Sequence, residues 1–530
     1  MKLNKLFLFA AVMALLCASV ASAQDKTGNP EKLGQVHFPI SCSAEVQKPF
    51  ERAVALLHSF WYQEALKAFT SAAEKDPNCA MAHWGIALSL WYPLWEPPSE
   101  AMLKKGWAAV EKAKALGGKT ERERAYITAI ETFYKDSDKL DHRTRATAYE
   151  KAMEQLSLQY SDDREAAAFY ALALNATALP TDKTYANQKK AGEILEKIFA
   201  EQPDHPGVAH YIIHSYDYPP LARQALTAAR KYGKIAPSVA HANHMPSHIF
   251  TRLGLWQESI ESNRRAAAAA KEHGESHQLL HAMDYMAYAY LQGAQDIAAK
   301  RVLDELNAIG KVEPEVKSMA YATAAIPARL AIERRRWSDA ASLQPRPTRY
   351  SAFEGITYFA RAIGSARSGD AAGARKDVEK LQSLRDGLVE AKQSYWADQV
   401  EIQRRAASAL LALAEGKNEE ALKLMHSAAD LEDSTEKDSV TPGPIVPASE
   451  LLGDLLLELH EPAQALGAFE SSLHASPNRF HGFYGAAKAA ELSGDREKAK
   501  TYYAKLMAVC NKADGERPEL SEAKSFVAQR

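Results

Sequence analysis

Apolar residues recur four and seven positions apart along most of the chain. Ala65, Phe69 and Ala72 make one such set, and Ala191, Leu195 and Ile198 another. That spacing puts all three side chains on one face of a helix. A proline follows each set, Pro77 and Pro203. Its ring cannot continue a helix, so each set has a stop. No run alternates Val, Ile and Thr in the way that marks a half-buried strand. The pattern predicts an all-α chain of many short helices. One stretch differs. Leu6 to Cys17 is continuously apolar, with Lys2 and Lys5 before it and Ala21-Ser22-Ala23 after it. It is too short to span a bilayer comfortably and reads as a secretory signal over residues 1–23. Leu16 before Cys17 does not suit a lipoprotein site, and no later segment looks transmembrane. The reading is an exported protein, periplasmic or secreted, with no membrane insertion after signal cleavage. Residues 24–40, polar and with Gly and Pro, read as a flexible leader.

The helical sets repeat. Gly453, Ala465, Phe469 and Pro477 echo Ala65, Phe69, Ala72 and Pro77, and Phe483, Gly494, Ala499 and Tyr503 follow them. Gly254, Trp256, Ile260 and Ala266 are a weaker copy, as are Gly369 with Ala374 and Gly416 with Ala421. In these residues the chain resembles the tetratricopeptide repeat family, whose unit is a helix–turn–helix of about 34 residues. The resemblance implies a right-handed superhelical solenoid of about nine to eleven helix pairs, and a concave groove that binds a protein or peptide. Two proline-rich stretches interrupt it, Gln344-Pro345-Arg346-Pro347 and Thr441-Pro442-Gly443-Pro444 with Pro447. They divide the chain into N-terminal repeats over 41–343, a middle section over 344–440, a C-terminal pair over 441–512 and a tail over 513–530. Both breaks read as surface loops of one continuous superhelix.

Eight of the 17 histidines lie between positions 210 and 281. His210 and His214 form H-x-x-x-H, as do His244 and His248, and His273, His277 and His281 continue the spacing. Four-residue spacing puts each pair on one helix face. His244 follows His210 at one repeat length, about 34 residues. Counting from the closing prolines Pro203 and Pro237 puts His210 and His244 at position 5 of successive repeats, His214 and His248 at position 9, and His241 at position 2. The family resemblance implies that these positions face the concave groove. Gly274 is expected to end one helix at His273 and leave His281, with Asp284 and Tyr285, in the first helix of the next repeat.

Paired imidazoles on one helix face clamp a divalent ion well. The expected metal set is His210, His214, His244, His248, His281 and Asp284, for zinc, copper or nickel, which imidazole alone does not separate. Asp284 or Asp217 suits a fourth ligand or an acceptor for the outer ring N–H. His241, Tyr211, Asp217 and Tyr285 complete the expected groove wall. Ligating imidazoles must be neutral, so affinity is expected to fall below about pH 6.5. Two other readings stay open: a hydrogen-bonded His/Tyr/Asp network that binds an organic ligand or peptide, and plain structural packing. His210-Tyr211-Ile212-Ile213-His214 lacks the glutamate of H-E-x-x-H, and the chain has no G-x-S-x-G, phosphate loop or C-x-x-C. A metal-dependent hydrolase or oxidase built on the cluster is the alternative. The phrase His244 to Gly254, H-M-P-S-H-I-F-T-R-L-G, resembles one in exported bacterial repeat proteins, and that resemblance supplies no activity.

Composition adds little. The chain has 65 basic and 67 acidic side chains among 530 residues, with no basic block that would point to nucleic acid. Beyond the leader stand Cys42, Cys79 and Cys510. Each of the first two precedes the first helix of a successive repeat, so they are candidates for a disulfide in an oxidising compartment. Trp84, Trp91, Trp95 and Trp107 cluster around the loop Tyr92 to Pro98 and read as a plug between repeats. His58 reads as a single core or surface histidine, and the Asn175 sequon falls inside a helix.

Overall fold

The computed structural model describes residues 31–310 and 312–529. The expected signal, 1–23, and the first part of the leader lie outside the described residues. Helices follow one another from Ala44–His58 to Pro518–Ala528, and each packs against the next. Among the described residues, with Ala240–His244 and Pro246–Arg252 taken as one helix, they form twelve successive pairs and one closing helix, more than the nine to eleven pairs expected. Among the described residues there is no strand, and no helix is long and apolar enough to cross a membrane.

Two devices build the pairs. The first is a turn through one residue of positive φ. Glycine supplies it at Gly254, Gly369, Gly416 and Gly494, where it costs no steric strain. The same turn is made by Phe60, Ala294, Arg335 and His460. The second device is a close crossing over an aromatic ring. A Cβ on Gly85 would stand 2.3 Å from the Phe69 ring, and Cβ atoms on Gly453 and Gly485 would stand 2.6 and 2.3 Å from Phe469. A ring can lie flat against a neighbouring backbone only where no side chain intervenes.

The break from Thr441 to Pro447, expected at the surface, is instead folded inward together with 435–440, and Val440, Thr441 and Ile445 are buried. A buried loop must find partners for its backbone. Arg329 donates to the carbonyls of Gly443 (2.8 Å) and Pro444 (2.7 Å), and the Tyr285 hydroxyl donates to that of Thr441 (3.0 Å). Farther on, the C-terminal repeats return to the middle of the chain. Trp256 donates to Asn478 O (2.7 Å), and the buried Arg479 joins Glu333 (2.7 Å), Glu450 (2.6 Å) and Tyr288 (2.9 Å). The final helix, inside the expected tail, buries Leu520, Ala523 and Phe526.

The described end of the expected leader, 31–40, is not helical but is held in place. Phe38 is fully buried among Phe50, Trp84 and Tyr126. Cys42 and Cys79 are joined by a disulfide, Cα atoms 5.0 Å apart, and Cys510 is buried and free.

Candidate metal centre

Four helical segments carry the site. Pro206–Tyr216 holds His210 and His214, and Ser276–Gln292 holds His281. His241, His244 and His248 lie on Ala240–His244 and Pro246–Arg252. Pro246 removes one helix N–H, yet Met245 keeps helical angles (φ −52°, ψ −36°), so His244 and His248 remain one turn apart. His273 closes its helix at Gly274, which has left-handed angles, as the sequence suggested.

The ladder divides into two triads of imidazoles, His210/His214/His241 and His244/His248/His281, each with ligand atoms within 4.8 Å of one another. In the first, Nε2 of His210 is 3.1 Å from Nε2 of His214 and 3.1 Å from Nε2 of His241. In the second, Nε2 of His244 is 3.1 Å from Nε2 of His248. A tetrahedral ion at about 2.0–2.1 Å from two nitrogens would separate them by roughly 3.3 Å.

The outer nitrogens settle which tautomers are present. His210 Nδ1–H donates to the carbonyl of His58 (2.7 Å). His244 Nδ1–H donates to Asn263 Oδ1 (2.6 Å), and the Asn263 amide nitrogen is itself spent on Ser259 O (2.9 Å). His248 Nδ1–H donates to Asp217 (2.9 Å). Carbonyl and carboxylate oxygens only accept, so these three rings each turn an Nε2 lone pair inward. His244 and His248 therefore bring two Nε2 atoms to 3.1 Å, a contact that a proton on one ring or a cation between the rings would relieve. Nδ1 of His241 and of His281 is buried without a partner.

A third group in the same chain behaves differently. Glu165 accepts from His58 (2.8 Å) and His205 (2.9 Å), Tyr211 bonds the other nitrogen of His58 (2.9 Å), and His205 Nδ1 caps the N–H of Val208 (3.2 Å). Every ring nitrogen there has a partner and a carboxylate sits between the rings. This is what a satisfied histidine network looks like, and the two triads lack its central acceptor.

The ladder faces inward rather than onto an open groove. His210, His241, His244, His248 and His281 are at most 3% exposed, and His214 is half-buried. The inward-folded segment covers them, with Lys437 on Asp217 (3.0 Å) and Tyr285 between Thr441 and His248. Burial, reinforced by neighbouring imidazoles, holds His210, His241, His244 and His281 well below the usual histidine range and His214 down to about 3. Burial would raise Asp217, but Lys437, Arg252 and His248 outweigh it and keep the carboxyl well below its usual range.

Of the residues expected from sequence, the five histidines of the metal set fall in the triads and Asp217 stands behind His248 as an acceptor. His241 belongs to the first triad itself. Asp284 does not join the second triad. It faces Arg329 (3.1 Å), because that buried guanidinium needs a counter-charge. Tyr211 is fully buried on His58, and Tyr285 lies against His248. Sequence reasoning missed Asn263, the His58 carbonyl, Lys437 and Phe60, whose ring covers His210 at 4.3 Å. Only Phe60, an aromatic residue at a helix turn, left a local sign.

No protein-family model matches the chain, and no curated relative matches it. Among solved structures it is similar to the human IFIT1 dimer with PPP-AAAA, at 12% identity and TM-score 0.37 over 81% of this chain and 90% of that one. It is also similar to yeast Tom70, at 12% identity and TM-score 0.34 over 91% and 95%. A further similarity is to the APC/C hetero-tetramer Cut9-Hcn1, at 12% identity and TM-score 0.32 over 91% and 90%. At that level no property of those proteins transfers. By its own succession of paired, aromatic-wedged helices, the chain is an all-α helical-repeat protein of tetratricopeptide-like build.

Proposed function

We propose that this chain is an exported helical-repeat scaffold that holds divalent transition-metal ions in its two imidazole triads and presents its outer repeats to a protein or peptide partner. The observation that carries the metal reading is the pair of opposed Nε2 lone pairs of His244 and His248, with both outer N–H groups already committed to acceptors. A proton would relieve one such contact. Three converging nitrogens in each triad fit a metal better, and an all-nitrogen set suits zinc, copper or nickel rather than magnesium or calcium. Asp217 and Asn263 orient their rings as acceptors behind metal-bound histidines do. Repeat scaffolds expose extended surfaces to partners, which supports the binding half of the proposal.

The test is elemental analysis of untagged protein from the exported fraction beside a His210→Ala/His244→Ala double variant. The expected result is a stoichiometric transition metal in the wild type and none in the variant. A wild type that carries no metal, and takes up none when zinc or copper is added, would overturn the metal reading.

A further inference from the structure

A cavity of about 210 Å³ lies between the helices Ser351–Arg367 and Ser394–Ala414 and the inward-folded segment. Phe353, Ile356, Phe359, Trp396, Val400 and Val446 give it apolar walls. Glu432 and Asp433, in the last turn of the helix Asn418–Ser434, line it as well. Protein surrounds the Glu432 carboxyl, yet the residue stays partly exposed. It accepts a hydrogen bond from the backbone N–H of Ala448 (2.9 Å), and among the described residues it forms no ion pair. Burial, with Asp433 and Glu450 beside it, pushes this carboxyl up to about 8, against the pull of the Ala448 N–H and of Arg479. The exposed Asp433 forms no ion pair either. Other charges near the cavity are matched. Arg252 and Lys437 are spent on Asp217 (2.9 and 3.0 Å), Glu436 on Lys183 (2.9 Å), and Arg479 on Glu333 and Glu450.

These features specify a ligand. A carboxyl without a counter-ion, at the negative end of a helix dipole, favours a cation. An anion finds few donors, because Pro442, Pro444 and Pro447 on the lining segment have no N–H. The apolar walls suit a hydrocarbon body. The volume exceeds the roughly 150 Å³ of a cavity that takes benzene, which leaves room for a short arm. We infer that the cavity binds a small primary ammonium with an apolar body, its charged group on Glu432 and its body along those walls. The ammonium pairs with the carboxylate form, so the proton that free Glu432 holds at neutral pH passes to the buffer. The inference needs no metal in either triad and no protein partner, so it goes beyond the preceding proposal.

The experiment is calorimetric titration of the full-length protein near neutral pH with 2-phenylethylamine, 2-phenylethanol and phenylacetate, three ligands of one shape and different charge. The amine should bind one site, the alcohol more weakly and the acid not at all. Repeated in two buffers of different ionisation enthalpy, amine binding should release about one proton. Glu432→Gln keeps the shape and an acceptor for Ala448. It should weaken the amine about tenfold to a hundredfold, the weight of a hydrogen bond to a charged group. Without ligand this variant should melt no lower than the wild type, since the charge it removes had no counter-ion. Gln399→Trp, filling the cavity from a half-buried wall position, should abolish binding. No amine binding by the wild type would overturn the inference. So would the alcohol or the acid binding as tightly as the amine, binding without proton release, or binding untouched by Glu432→Gln in folded protein. The metal content is read separately by elemental analysis, so failure of either proposal is seen on its own.

Discussion

At the scale of single residues, the site is set by what each ring nitrogen touches. His210, His244 and His248 are locked by a backbone carbonyl, an asparagine and an aspartate, and they differ in this from His58 and His205, whose nitrogens are all satisfied around Glu165. Burial also moves the titration of the ladder. An exposed imidazole takes a proton near pH 6.5. Here the folded-state values are depressed, to about 3 for His214, while the unfolded chain keeps the ordinary value. Below pH 6.5 the unfolded state therefore binds more protons than the folded one. Stability is full above that pH and is lost as pH falls toward the folded values, by up to ~1.4 kcal/mol per pH unit for each such histidine. The melting temperature of metal-free protein should accordingly drop steeply from pH 6.5 to 4.5. A melting temperature flat across that interval would contradict the buried ladder. The drop in metal affinity expected from sequence below about pH 6.5 should also move lower, because the folded imidazoles are already neutral there.

At the scale of elements, repeat architecture rests on crossings where a ring meets bare backbone. Phe469 lies between Gly453 and Gly485 as Phe69 lies over Gly85. A methyl added at Gly485 would stand 2.3 Å from the Phe469 ring and must push two helices apart. Gly485→Ala is expected to cost about 1–3 kcal/mol, measured by denaturant unfolding. Gly467→Ala is the control, since nothing lies within 4 Å of the added carbon. Sequence showed half of this device. Ala65, Phe69, Ala465 and Phe469 were legible as repeat positions, whereas Gly85 and Gly485 were not, because a glycine does not announce what packs on it. The turns were legible where glycine made them and not at Phe60 or His460, whose positive φ is imposed by packing on either side.

At the scale of the whole molecule, the decisive contacts join distant parts of the chain. Arg329 holds Asp284 and the carbonyls of Gly443 and Pro444, so one fully buried guanidinium pins the segment that covers the ladder. Arg329→Leu should strand a buried carboxylate and two carbonyls, at a cost of about 3–5 kcal/mol. Hydrogen exchange across 435–447 should rise with it. Adding Asp284→Leu should recover part of the stability, since the stranded charge is then removed. If exchange in 435–447 is unchanged by Arg329→Leu, the pinning role is wrong.

Whatever local spacing controls was legible in the order of residues. Helices follow from apolar periodicity, repeats from recurrent Ala, Phe and Pro, and the imidazole pairs from four-residue spacing on one face. Even the role of Asp217 behind a histidine was legible, because it sits one residue past the Pro206–Tyr216 helix that carries His210 and His214. Long-range packing is what buries the ladder, divides it into two triads and pairs Asp284 with Arg329. Those outcomes depend on Lys437, Thr441 and Asn263 arriving from other helices and from a loop more than 200 residues beyond Asp217. Helical periodicity specifies neighbours within a turn or two. Which distant carbonyl or cation covers a site is set by how the superhelix closes, and no short run of sequence records that.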